Sequence, residues 1–231
     1  MPRPSQPAPN TQLRPTSLRD ELVRYLQQDI ITGVFQPGQR IVERELISRF
    51  GVSSIPVREA LQDLESRGLV VRRLNHGYSV VQLTHEEALR ICELRRLLEP
   101  KVVEWATARI SPEGIRGLER QLDEIAAAAR EGDMAAFFHA DLLFHRRLWD
   151  ASGNRHAARA LESSMGSLFA SGLARSEQAK KAGKATAIDR IAEVEKHRRM
   201  TIAIKKGNAQ LASAALLEIA AGFERQFHAE E

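Results

Sequence analysis

The sequence predicts a mainly α chain: an N-terminal winged helix-turn-helix of three helices plus a small β hairpin, then an all-α bundle of about six helices. Three observations predict it. Residues 17–83 follow the order capped helix, short helix, Gly-Val-Ser turn, helix, Gly, hairpin. Thr84-His85-Glu86-Glu87 then reads as a capping box that opens a new helix. Beyond it the apolar residues recur at helical spacing and none alternate as in a strand.

In the first unit, Ser17 can cap a helix whose stripe is Leu18, Leu22, Leu26 and Ile30, ending at Gly33. Gln36-Pro37-Gly38 is a turn. Glu43 to Phe50 is a short second helix with Leu46, Ile47 and Phe50 inward, and Gly51 stops it. Ser53 and Ser54 are both suited to cap the third helix, and Pro56 fits its first turn, where no amide hydrogen is needed. Val57, Ala60, Leu61 and Leu64 keep the helical spacing as far as Gly68. The β-prone runs 69–73 and 78–83 flank the turn Leu74-Asn75-His76-Gly77.

In the second unit, Ile91, Leu94, Leu98, Val102 and Trp105 form one stripe. Breaks are expected at Ser111-Pro112, Gly132-Asp133, Gly153-Asn154, from about Ser176 to Thr186, and at Gly207-Asn208. The organisation is therefore a flexible arm over 1–14, a winged unit over 15–83 and a helical unit over 84–231. The arm could touch a DNA backbone through Arg3 or Arg14.

Composition narrows the function classes. With 43% apolar residues the chain can bury a core, and with 5% aromatics that core should rest on Leu, Ile, Val and Ala. No apolar run approaches the roughly 18 residues of a membrane span, and the N-terminus has no secretory h-region. One cysteine, Cys92, forms no intrachain disulfide, fits a reducing cytoplasm and reads as a small core residue. Residues 1–83 carry eleven Arg and no Lys against eight carboxylates, so most of the net charge of +4 lies there. Arginine suits forked recognition of phosphates and guanine edges.

In a helix-turn-helix the second helix of the pair enters the major groove, its N-terminal residues against base edges. Here that helix opens at Ser53-Ser54-Ile55-Pro56-Val57-Arg58. Arg58 lies off the apolar stripe and could fork onto a guanine or a phosphate, and Arg44 could reach the backbone. Gly77, with His76 beside it, would bring the wing close to the minor groove. Equally, either arginine could belong to a solvated face, paired with Glu59 or Asp63. In the helical unit, Asp141 and His145 are i and i+4 on a face shared with Phe137, Phe144 and Leu148. A carboxylate and an imidazole facing inward must be paired, with each other or through a metal. His197, between Val194 and Thr201, could join them.

Phe35-Gln36-Pro37-Gly38, Glu43-Arg44-Glu45-Leu46, Phe50-Gly51-Val52-Ser53, Pro56-Val57-Arg58-Glu59-Ala60-Leu61 and Leu64-Glu65-Ser66-Arg67-Gly68-Leu69 closely resemble the DNA-binding domain of the GntR family. The resemblance implies DNA contacts at Arg44, Ser53, Ser54, Pro56, Arg58, His76 and Gly77. It departs at one place: the family usually carries Arg-Thr-Pro or Arg-Ser-Pro where this chain has Ser54-Ile55-Pro56. A frequent base-reading arginine is missing, which implies a shifted or relaxed operator preference there.

Residues 84 to about 228 resemble the effector domain of the family's FadR-like branch, a bundle of six or seven helices. The matching residues are Arg95 and Glu99, Asp141-Leu142-Leu143-Phe144-His145, and Glu195-Lys196-His197 with Gly207-Asn208. The resemblance implies a homodimeric, effector-controlled regulator of operator DNA, in the sense of a repressor. It implies zinc or nickel on Asp141, His145 and His197, with a small organic acid bound by these residues and Arg95. The family's fourth ligand should lie about 22 residues after His197, where this chain has Ile219, and neither Glu218 nor His228 is an obvious substitute; the site is then either a three-ligand one completed by water or the effector, or a metal site that has lost its metal. Arg95 could clamp an effector carboxylate or pair with Glu99. Two other classes stay open: a metal-dependent hydrolase in the helical unit, and an architectural DNA-binding protein that senses nothing. Against the first, the chain has no Gly-rich phosphate loop, nucleophile elbow or His-Glu-x-x-His.

Overall fold

The computed structural model describes residues 18–74, 76–183 and 189–228. The arm with Arg3 and Arg14, the Ser17 cap and Asn75 of the hairpin turn lie outside the described residues. The winged unit comprises α1 (Leu18–Ile31), β1 (Arg40–Ile41), α2 (Glu43–Phe50), α3 (Ser54–Ser66), β2 (Val70–Arg73) and β3 (Gly77–Val80). Leu22, Leu26 and Ile30 of α1 share a core with Leu46 of α2 and Val57, Leu61 and Leu64 of α3. The sheet exceeds the expected hairpin. β2 and β3 pair with Arg73 opposite Gly77, and β1 adds a third antiparallel strand in the order β1-β3-β2. Ile41 of β1 stands opposite Tyr78.

Six further helices follow among the described residues: α4 (His85–Arg109), α5 (Pro112–Glu131), α6 (Met134–Ala151), α7 (Arg155–Lys181), α8 (Arg190–Lys205) and α9 (Ala209–His228). Thr84 caps α4 through the expected box: its Oγ1 accepts from the Glu87 N–H at 3.2 Å, and the Glu87 carboxylate accepts from the Thr84 N–H at 2.8 Å. No described helix is long and apolar enough to cross a membrane.

Three features depart from the sequence reading. The buried face of α4 is Ala88, Cys92, Arg95, Glu99, Val102, Val103 and Ala106, one position round from much of the apolar stripe. Two charged residues are therefore inside, while Leu94 and Leu97 are left exposed. α7 runs on to Lys181, with Ser176 buried inside it and donating to Gln226 of α9 at 3.2 Å. Last, the few aromatics are concentrated rather than absent: Phe137, Phe138, Phe144, Phe169, Phe223, Phe227 and Trp149 are all buried in the helical core.

The winged unit seats on α7. Gly68, just after α3, has φ +66°, and a Cβ there would stand 2.0 Å from the carbonyl oxygen of Ser163, so only glycine fits. Leu69 fills the space above Gly166, where an added Cβ would come within 2.7 Å of it. Charged groups continue the seam. Arg146 of α6 donates both Nε, at 2.8 Å, and Nη2 to Glu162 of α7. Arg67 lies 3.5 Å from the same carboxylate and also pairs with Asp63 of α3, which in turn holds Arg19 of α1. Gln27 of α1 lies against the Arg146–Glu162 pair.

Candidate functional site

The end of the winged unit that carries the expected DNA contacts is built by α2, α3 and the β2–β3 turn. Ser53 is the N-cap of α3 by backbone conformation, but its hydroxyl makes no capping hydrogen bond. Ser54 and Pro56 are half-buried in the first turn, and Ser53, Arg44, Arg58, His76 and Gly77 are exposed. Gly77 has φ +76° at the wing tip with nothing within 4 Å of an added Cβ, so the main chain there is open to a partner. The Arg58 Nε donates to Glu43 at 2.8 Å. Its partner thus comes from α2 rather than being Glu59 or Asp63. An exposed pair of this kind is weak and exchangeable against a phosphate.

The second site lies in the helical core. α6 presents Asp141 and His145 one turn apart, α8 presents His197, and α4 presents Arg95 and Glu99; all five are buried. The metal-binding atoms of Asp141, His145 and His197 lie within 4.8 Å of one another. Asp141 Oδ1 is the hub, 2.8 Å from His197 Nε2 and 3.5 Å from His145 Nε2. His197 Nδ1 is 2.8 Å from the carbonyl oxygen of Glu193, which assigns the proton to Nδ1 and turns Nε2 toward Asp141. Arg95 Nη2 lies 3.0 Å from His145 Nε2, so that nitrogen is the acceptor. His145 Nδ1 is 3.2 Å from Glu99 Oε1 but off the direction of a hydrogen bond.

These contacts set the charges. Burial alone would raise the Glu99 carboxyl; Arg95 and His145 outweigh it and hold the group down at about 2. Burial alone would likewise raise Asp141 and lower His197. Their mutual attraction wins in both, lowering the acid and raising the imidazole. The two carboxyls are therefore held toward their charged form.

The donor set fits a divalent metal. Ligand atoms on a tetrahedral ion sit roughly 3.4 Å apart for bonds of about 2.1 Å, close to the 3.5 Å between Asp141 and His145. Both histidines turn Nε2 inward, and His197 Nδ1 is hydrogen-bonded to the Glu193 carbonyl, the outer-shell arrangement that orients a metal ligand. Binding would require Arg95 to leave His145 Nε2 and the 2.8 Å hydrogen bond between Asp141 and His197 to open. Ile219 is buried on α9 and offers no donor, while Glu218 is exposed and paired with Arg199.

Sequence reasoning found Asp141, His145, His197, Arg95 and Glu99 but missed the walls. Trp149 Nε1 donates to Glu99 Oε1 at 3.1 Å. The rings of Phe169 and Phe223 lie 5.8 and 5.6 Å from the Arg95 guanidinium carbon. Trp149 stands one turn beyond His145, so its spacing could have placed it on this face; Phe169 and Phe223 carry no such local sign. Arg95 pairs with Glu99, and its Nη1 is buried without a hydrogen-bond partner.

A three-helix winged unit with an open arginine-bearing end, joined to a helical domain with a buried donor cluster, defines a DNA-binding transcriptional regulator. The chain belongs to the GntR family of bacterial regulatory proteins: residues 18–80 match that family, and residues 90–222 match the FCD domain. It is 35% identical over 150 residues to the uncharacterized HTH-type transcriptional regulator YdhC of Bacillus subtilis, covering 64% of this chain and 67% of the relative. It is 31% identical to the HTH-type transcriptional repressor RspR of Escherichia coli, over 60% of this chain and 61% of the relative. Its fold is shared with E. coli McbR/YncC, at a TM-score of 0.74 and 22% identity over 89% of this chain and 94% of that one.

Proposed function

We propose that the chain is a homodimeric repressor whose hold on operator DNA is set by a small organic acid bound at the Asp141, His145, His197 and Arg95 centre. The observation that carries this reading is Arg95 Nη1, a buried cationic donor with no partner. Leaving such a donor unmade costs about 1–3 kcal/mol. A carboxylate fits it, and the Phe169 and Phe223 rings beside the guanidinium suit the apolar body of a small acid. Zinc or nickel would be held by Asp141, His145 and His197 and would supply a Lewis-acid anchor for the acid.

Arg44, Ser53, Ser54, Pro56, Arg58, His76 and Gly77 are the proposed DNA contacts. Two copies would set two winged units on the half-sites of a palindrome, and the exposed Leu94 and Leu97 of α4 are apolar surface available for that pairing. An acid regulates only if it binds the DNA-competent and incompetent arrangements unequally. The route is short: α6 carries Asp141 and His145 on its inner face and Arg146 at the seam with α1, α3 and α7.

A thermal-shift screen of small organic acids, with and without chelator, tests this reading. Stabilisation by one acid, lost in Arg95→Gln, is the expected result, and loss with chelator assigns the metal anchor. If no acid shifts the transition, the carboxylate reading fails.

A further inference from the structure

Ile55 is an apolar side chain where α3 should have none to spare. It is the second residue of the helix, and it is 67% exposed, whereas Val57, Ala60, Leu61 and Leu64 are completely buried. It takes no part in the core. Scattered exposed apolar residues are ordinary, so exposure alone says nothing. Position adds the second observation. Ile55 and Arg58 are i and i+3, on one side of the helix end that enters the major groove in this fold. Arg58 on that side reaches Glu43 at the start of α2. A β-branched side chain on a helix has one preferred rotamer, so Ile55 is a stiff apolar knob rather than a mobile one. Ser54 beside it is too short for the bidentate guanine contact that an arginine makes.

The major groove offers such a knob one apolar partner, the C5-methyl group of thymine. We infer that Ile55 is a specificity-determining residue that reads a thymine methyl in each operator half-site, in place of a guanine contact from position 54. The chain would thus prefer a T·A pair there through an apolar contact.

This rests on α3 being the groove-entering helix, and the test separates the two. An operator is first obtained by binding-site selection with the full chain. Each thymine is then replaced in turn by deoxyuridine, which keeps every hydrogen-bonding edge and removes only the methyl. One thymine per half-site is expected at which this weakens wild-type binding about fourfold, the worth of one buried CH2 group. Ile55→Ala should bind the thymine operator more weakly and be indifferent to deoxyuridine at that position. Circular dichroism and the melting transition should not change, because Ile55 is outside the core. Ile55→Thr, which keeps the β-branch and one methyl, should retain part of the discrimination. The inference is overturned if no deoxyuridine weakens wild-type binding, or if Ile55→Ala keeps the full methyl effect. Absence of any sequence-selective binding would instead overturn the reading of α3 itself. The wild-type arm decides the methyl question without any variant.

Discussion

Arg95 Nη2 stands 3.0 Å from His145 Nε2, the nitrogen through which that histidine would bind a metal. A fixed guanidinium and an incoming cation compete for one lone pair, and a site that must first displace its own arginine binds metal with a handicap. The same arginine compensates Glu99. Arg95→Met should therefore lower unfolding free energy by about 3–5 kcal/mol, the cost of leaving a buried carboxylate without its cation. The double variant Arg95→Met/Glu99→Met should be clearly more stable than the sum of the single losses implies. Urea denaturation measures both. Additive losses would mean that the pair is not coupled.

Ile219 is buried on α9 where the family resemblance calls for a fourth ligand. Ile219→His should retain stoichiometric zinc or nickel through a chelator dialysis that strips the wild type, read by elemental analysis. Equal retention by both would mean that residue 219 does not face the ion.

Arg146 of α6 and Glu162 of α7 form a forked pair inside the helical half, and Arg67 of the winged half lies 3.5 Å from the same carboxylate. Arg146→Ala should cost about 1.5–3 kcal/mol as hydrogen bonds to a charged group are lost. It should also separate two responses: the acid still raises the melting temperature, but no longer changes operator affinity. Unaltered regulation in the variant would place the coupling elsewhere along α7.

Cys92 is buried on α4, and burial pushes its thiol up to about 11. A raised thiol pKa keeps the sulfur protonated at every pH below that value, and the thiolate is the reactive form. At pH 8 the folded chain should not react with a disulfide reagent such as DTNB, and in denaturant one thiol per chain should react. Rapid labelling of the native chain would show that α4 opens.

Arg44 is exposed at the start of α2 with no ion pair among the described residues. If it neutralises a phosphate, Arg44→Ala should flatten the plot of log Kd against log salt by about 0.9 per half-site. It should weaken all sequences alike. A change confined to one base position would make Arg44 a base reader instead.

Local rules carried the winged unit a long way, because its caps, glycines and apolar spacings act within one helix. They could not reveal β1. Two residues show no alternation, and Arg40–Ile41 is a strand only because β3 lies beside it. On α4, apolar periodicity pointed away from Arg95 and Glu99, whose burial depends on His145 and Trp149 some 50 residues along the chain. Asp141 and His145 were legible for the opposite reason: their i, i+4 spacing places them on one face without help from elsewhere. The orphaned Arg95 Nη1 had no counterpart in the sequence, since an absent partner leaves no pattern.

Gly68 allows α3 to end against the backbone of α7 with no side chain in between. Backbone pressed on backbone does not swivel as a linker does. A winged unit keyed in this way is mounted like the head of a wrench, with the end of α3 held directly by the backbone of α7. A single added methyl at residue 68 would strip the key from its slot.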